Sequence, residues 1–107
     1  MTTSDTFRDL SLSLQGSVEV AHFDRRAFKV RRIFASLAAD GETANLYLTP
    51  PEQEYWRGLF PDTFAPVSNK WGARGWTQVR LATIGSMELL PALRAAWSNG
   101  GGSEPPE

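Results

Sequence analysis

From residue 17 to residue 48 the apolar side chains recur at every second position, whereas on both sides of that stretch they recur at helical spacing. Few architectures accommodate such a change of period, because strands and helices bury their apolar residues by different rules. Val18 and Val20 alternate with Glu19 and Ala21. After a break at Asp24 and Arg25, Phe28 and Val30 alternate with Lys29 and Arg31. Ile33, Ala35 and Leu37 then alternate with Phe34 and Ser36, and Ala44, Leu46 and Leu48 with Asn45 and Tyr47. Asp40-Gly41 is a hairpin signal between the last two runs. The pattern predicts four successive strands, mostly antiparallel, with one sheet face on helices and the other in solvent.

The flanking segments supply the helices. Ser4 is placed to cap a first helix, with Asp5 in its first turn, Phe7, Leu10 and Leu14 on its buried face and Gly16 as its stop. Thr49-Pro50-Pro51-Glu52 reads as a capping box with proline in the first turn. Tyr55, Trp56, Leu59 and Phe60 would form the buried face of that second helix, and Pro61 would end it. Residues 61–75 read as an irregular loop with a short strand near 64–67. Residues 76–81 alternate again, with Thr77, Val79 and Leu81 on one side. Ser86 is placed to cap a third helix bearing Leu89, Leu90, Leu93, Ala96 and Trp97, with Pro91 near its start. The predicted order is α-β-β-β-β-α-β-α. This is the α+β class, an antiparallel sheet packed on one face by helices. Residues 1–99 form one domain, and the Gly/Ser/Glu/Pro composition of residues 100–107 predicts a disordered tail.

Several function classes are excluded or disfavoured by composition. The chain of 107 residues has no cysteine, so it has no disulfide, no thiolate nucleophile and no cysteine-ligated metal. No apolar run is long enough to span a bilayer, and residues 1–9 lack the apolar core of a secretory signal. A cytoplasmic, non-membrane protein is expected, with the monomer the favoured state. The only histidine, His22, lies near a strand end and reads as a hydrogen-bonded structural residue. It would need a carboxylate partner such as Asp24 to act as a base. Glu52 and Glu54, two apart on a helix, do not share a face. Gly72-Ala73-Arg74-Gly75 lacks the ending of a phosphate loop and opens a strand, so it reads as a turn that delivers Trp76. No metal, no cofactor and no enzymatic activity are therefore expected.

Charge is more informative in its placement than in its total. The net charge is −1, which does not suit a generic polyanion binder. Yet residues 25–32 hold Arg25, Arg26, Lys29, Arg31 and Arg32 and no acid, and residues 63–87 hold Lys70, Arg74 and Arg80 and no acid. Lys29 and Arg31 alternate with Phe28 and Val30, so a strand would send both cations to the open face, with Arg25 and Arg26 in the preceding turn. Such a surface neutralises phosphates; cations on an open sheet face also simply keep it soluble and block edge pairing. Trp56, Tyr55 and Trp97 read as core. Trp71 and Trp76 flank the glycine turn beside Lys70 and Arg74, either as packed loop anchors or as an exposed stacking platform.

In order and spacing, several segments resemble the MmcQ/YjbR family. They are Leu14-Gln15-Gly16-Ser17-Val18-Glu19, Ala27-Phe28-Lys29-Val30, Ile33-Phe34-Ala35-Ser36-Leu37 and Ala44-Asn45-Leu46-Tyr47-Leu48-Thr49-Pro50-Pro51-Glu52-Gln53. Phe64-Ala65-Pro66-Val67, Trp71-Gly72-Ala73-Arg74-Gly75-Trp76-Thr77-Gln78-Val79-Arg80-Leu81 and the closing run at 93–97 continue the match, from about residue 5 to 98. The resemblance implies a CyaY-like (frataxin-like) α+β fold in a double-wing arrangement, and DNA binding; it implies no catalytic residues. The chain departs from the family at Gln15, where many members have proline, and at Arg31-Arg32, where many have a glycine before one cation. The frataxin branch binds iron through an acidic first helix, whereas this helix offers only Asp5 and Asp9, so iron handling is disfavoured. The expected function is non-enzymatic DNA binding through backbone phosphates. Arg25, Arg26, Lys29, Arg31 and Arg32 would make the contacts, with Lys70, Arg74 and Arg80 assisting if the last strand lies beside them. The alternative is an adaptor domain for a protein or a small ligand.

Overall fold

A computed structural model of the chain describes residues 1–104. Its elements run α1 (Ser4–Ser13), β1 (Val18–His22), β2 (Arg25–Lys29), β3 (Ile33–Leu37), β4 (Thr43–Tyr47), α2 (Pro50–Leu59), β5 (Phe64–Pro66), β6 (Trp76–Arg80) and α3 (Ser86–Asn99). Two strands thus follow α2, the short one near residue 64 and the alternating one from residue 76. The strands form one six-stranded sheet in the order β1-β2-β3-β4-β6-β5, and every neighbouring pair is antiparallel. The fold is α+β, as the change of period predicts.

Cross-strand partners share a face, so the register sorts the sheet into two surfaces. One carries Phe28, Ala35, Leu37, Ala44, Leu46, Val79 and Phe64. These join Phe7 and Leu14 beside α1 and Leu89, Leu93 and Trp97 of α3 in one buried core. The other face carries Val20, Arg25, Ala27, Lys29, Ser36, Asn45, Tyr47, Trp76 and Gln78, and no helix among the described residues covers it.

The pleat breaks at one point. Phe28 pairs with Ala35 but Lys29 pairs with Ile33, which leaves Phe34 as an extra residue on β3. This bulge turns both Phe34 and Ala35 into the core. Ile33, expected on the same side as Ala35, instead lines the open face.

Three helix details differ from expectation. Thr3, not Ser4, caps α1, its hydroxyl accepting from Thr6 N–H at 3.1 Å. Gly85, not Ser86, precedes α3, and its N–H donates to Glu88 Oε1 at 3.2 Å; Pro91 lies inside this helix. The capping box at Thr49 and Glu52 is present, but α2 turns a different face inward. Gln53 is buried and Trp56 and Phe60 pack on the core, whereas Tyr55 and Leu59 stay 59% and 52% exposed. Spacing of three and four favours the 53–56–60 stripe once the Gln53 amide finds partners, as it does below.

The chain end is tied down further than its composition suggests. Gly100 and Gly102 donate N–H bonds to the last turn of α3, and Arg32 N–H donates to Gly100 O at 3.0 Å. Residues 105–107 of the expected tail lie outside the described residues. No helix among the described residues is long and apolar enough to cross a membrane.

Candidate functional site

The open sheet face is concave. A hollow of about 500 Å³ crosses it diagonally, from the turn between β1 and β2 to the start of β6. Its floor is Ser36 and Asn45 on the two central strands. Arg25 lies over the floor, with Nε donating to Ser36 Oγ at 2.8 Å and Nη2 to Ser36 O at 3.3 Å. Burial draws the Arg25 guanidinium below its ordinary pKa, and the charges of Asp24 and Asp40 partly offset this. No carboxylate among the described residues forms an ion pair with it.

Aromatic rings form both ends of the hollow. At one end stands Phe23, at φ 59 in the turn between β1 and β2, with His22 edge-on to it at 4.8 Å. His22 is exposed and makes no side-chain hydrogen bond among the described residues, so the hydrogen-bonded role expected of it is not what the structure shows. At the other end Trp76 stacks on Tyr47 with centroids 5.1 Å apart and planes at 22°. Trp71 projects from the loop before β6 and is 44% exposed.

That loop has a defined origin in sequence. A Cβ on Gly72 would lie 2.2 Å from Val67 O, and one on Gly75, at φ +111, would lie 2.0 Å from Leu48 O. Only glycine permits these approaches. The buried Gln53 amide then clamps the loop from below, donating to Gly72 O at 3.1 Å, Trp76 O at 3.2 Å and Thr77 Oγ1 at 3.1 Å. A buried amide satisfied in this way holds both tryptophans in place.

The eight cations picked out by sequence do not stay together. Arg25 lines the hollow, Lys29 follows it on the same face of β2, and Lys70 Nζ and Arg74 Cζ sit 5.5 and 4.9 Å from the Trp71 ring centroid. Arg32, in the turn after β2, lies 5.8 Å from the Tyr47 ring centroid and donates to Asn99 O. These five share the open face and its margin.

Arg26 does not join them. The turn is at Phe23 and Asp24, so Arg25 and Arg26 lie within β2 and point to opposite faces. Arg26 is on the helix side at the sheet edge, with Nε 2.7 Å from Glu19 Oε2; Arg8 holds the other oxygen at 2.6 Å. The Arg26 hydrogen bond, aided by Arg8, holds the Glu19 carboxyl below its ordinary range against the effect of burial. Arg31 lies outside the strand, in the turn against Gly101. Arg80 has the open-face parity of Trp76 and Gln78, but it stands four residues beyond Trp76, about 13 Å along the strand, in a separate hollow beside Thr2 and Thr43. Two strands separate β2 from β6, so Arg80 is not beside the residue 25–32 cations.

The sequence reading missed Phe23, Ser36, Asn45 and Ile33. A bulky residue at a hairpin turn is a weak signal, and the bulge that turns Ile33 outward leaves no mark in an unbroken alternation. Among the described residues, no cluster of three or more His, Asp or Glu side chains could hold a metal ion.

Comparison with known proteins agrees with this architecture. The crystal structure of Deinococcus radiodurans protein DR2400, which carries a DUF419 domain, superposes with a TM-score of 0.76 at 26% identity, covering 91% of this chain and 77% of that one. No curated protein matches the sequence. The family model that matches is YjbR, over residues 12–99. Since that match takes in the whole sheet, α2, α3 and the loop bearing Trp71, the chain belongs to the YjbR family.

Proposed function

We propose that this domain binds nucleic acid on the open face of its sheet and performs no chemistry of its own. One observation carries the reading. Arg25, Lys29, Arg32, Lys70 and Arg74 gather on that face among exposed or half-exposed aromatic rings, with no ion-pair partner among the described residues. Paired cations such as Arg26 have their charge spent within the fold; unpaired ones remain available for phosphate. The hollow is poorly arranged for nucleophilic catalysis. Ser36 Oγ accepts a hydrogen bond from the Arg25 guanidinium, whereas an activated serine must give its proton to a base.

Contacts of this kind are to backbone and are sensitive to salt. The test is fluorescence anisotropy of labelled duplex and single-stranded oligonucleotides between about 50 and 200 mM salt. The triple variant Lys29→Gln/Lys70→Gln/Arg74→Gln is compared with the unaltered chain. The expected result is binding that weakens with salt, with the slope on duplex reduced by about 0.9 for each lost phosphate contact. Failure of the unaltered chain to bind any oligonucleotide at low salt would end the reading and favour an adaptor role.

A further inference from the structure

We infer that the hollow on the open face is a pocket for one unstacked nucleobase, so that the domain takes single-stranded nucleic acid in preference to duplex. The inference rests on the nucleic-acid reading above and narrows it to a class of ligand and a place.

Phe23 is the first observation. Its side chain is 93% exposed and its backbone sits at φ 59. A bulky residue is an outlier in that left-handed region, and an exposed ring recovers nothing by burial in the free protein. The ring nevertheless stands at the rim of the hollow, with Trp71 and Trp76 at the far side of the sheet. Aromatic rings thus stand at both ends of one concavity.

The floor is the second. The Asn45 side-chain amide has no hydrogen-bond partner among the described residues, Arg25 Nη1 is likewise unspent, and Ser36 Oγ can still donate its own proton. A ring for one face of a planar heterocycle, and mixed donors and acceptors for its edge, match the chemistry of a base pulled out of a strand. A hollow of about 500 Å³ is within the usual range of ligand pockets.

Charge is the third. Lys70 and Arg74 flank Trp71, which puts cations where the phosphates on either side of an inserted base would pass. The acids that reach Arg25 are Asp24 in the hairpin turn and Asp40. In a duplex each base has its faces covered by neighbours and its edge by its complement, so reaching the hollow would require unstacking and unpairing.

The test uses the whole chain and three labelled probes of about ten nucleotides: an oligothymidylate, an abasic strand with the same phosphates, and a duplex. The oligothymidylate should bind roughly tenfold more tightly than the abasic strand, and more tightly than the duplex at equal salt. Trp71→Ala should lose roughly tenfold on the oligothymidylate and little on the abasic strand. Phe23→Gly should also weaken oligothymidylate binding several-fold, at an unchanged or higher melting temperature, because glycine accepts the φ that phenylalanine resists. Equal affinity for the oligothymidylate and the abasic strand would overturn the base pocket while leaving phosphate binding intact. Binding of none of the probes would remove both readings. Displacement of the oligothymidylate by an equal concentration of thymidine monophosphate would also overturn the inference, by assigning the hollow to free nucleotides.

Discussion

Gln53→Glu asks whether one buried amide holds the loop that bears Trp71 and Trp76. The two side chains have nearly the same shape. In the native chain Nε2 donates to Gly72 O, Trp76 O and Thr77 Oγ1. An ionised carboxylate only accepts, so the contacts to Gly72 O and Trp76 O would become acceptor against acceptor, and Thr77 Oγ1 could donate to it only by giving up its bond to Gly75 O. An uncompensated buried charge costs about 3–5 kcal/mol. Gln53→Met separates this from simple loss of the hydrogen bonds. Each acceptor keeps a second bond: Gly72 O from Gly75 N–H at 3.1 Å, Trp76 O from Val67 N–H at 3.0 Å, and Thr77 Oγ1 through its own proton to Gly75 O at 2.7 Å. Methionine should therefore cost about 1–2 kcal/mol, and glutamate at pH 7 about 2–3 kcal/mol more.

The introduced carboxyl can also escape by taking a proton, which raises its folded pKa above the unfolded value of about 4.3. For a carboxyl shifted in this direction, stability is highest below the unfolded pKa and is lost as pH rises through the folded one. The gap between the glutamate and methionine variants should thus be wide at pH 7 and close toward about pH 4. Urea unfolding followed by tryptophan fluorescence measures it. A glutamate variant as stable as the methionine variant at pH 7, or one whose deficit grew on acidification, would refute the clamp.

Two further predictions concern stability. Burial pushes the Glu52 carboxyl up, but hydrogen bonds from the Thr49 backbone, the Asn99 amide and the Thr49 side chain outweigh it and leave its pKa below the ordinary 4.5. A carboxyl depressed in this way contributes stability that is present above the unfolded pKa and lost as pH falls through the folded one. Glu52→Gln should accordingly cost about 1 kcal/mol near neutrality, and the difference should shrink in urea titrations below about pH 4; a constant difference would contradict the linkage. Ser11 Oγ is buried in α1 without a hydrogen-bond partner, so Ser11→Ala should stabilise by about 1 kcal/mol through lower desolvation cost and higher helix propensity. Calorimetry should show a melting temperature raised by about 4–8 °C, and a lowered one would mean that the hydroxyl is satisfied.

The parts of this fold legible in sequence are those set by period. Phe28, Ala44 and Leu46 lie on the core face because alternation leaves them no other place, and Thr49 with Glu52 starts α2 because the capping box is a local chemical unit. Features that depend on distant partners were not legible. Gln53 displaces Tyr55 from the core only because residues 72–77 supply acceptors for it. Arg26 leaves the open face because the turn falls one residue earlier than the charge pattern suggests, which takes Arg26 into β2 on the side of Phe28. The hollow is harder still to foresee, since Phe23, Ser36, Asn45 and Trp71 come from four separate segments joined only by the sheet. The basic segments pointed to the open face without resolving which cations the fold would keep for itself.

The attachment of α1 has a consequence for the order of events in folding. Its flanks are fastened by the other end of the chain: Thr2 N–H donates to Leu81 O at 2.9 Å, Thr2 Oγ1 to Ile84 O at 2.9 Å, and Trp97 Nε1 to Gln15 O at 2.9 Å. The β1–β4 meander, by contrast, closes through successive short hairpins, whose loops cost little entropy to form. Of the three helices, the one made earliest is thus the last to find its berth. Until residues 81–97 have been made, Phe7 and Leu14 have no partner surface in α3, and the nascent chain carries an amphipathic helix with its apolar stripe open to the cell's chaperones.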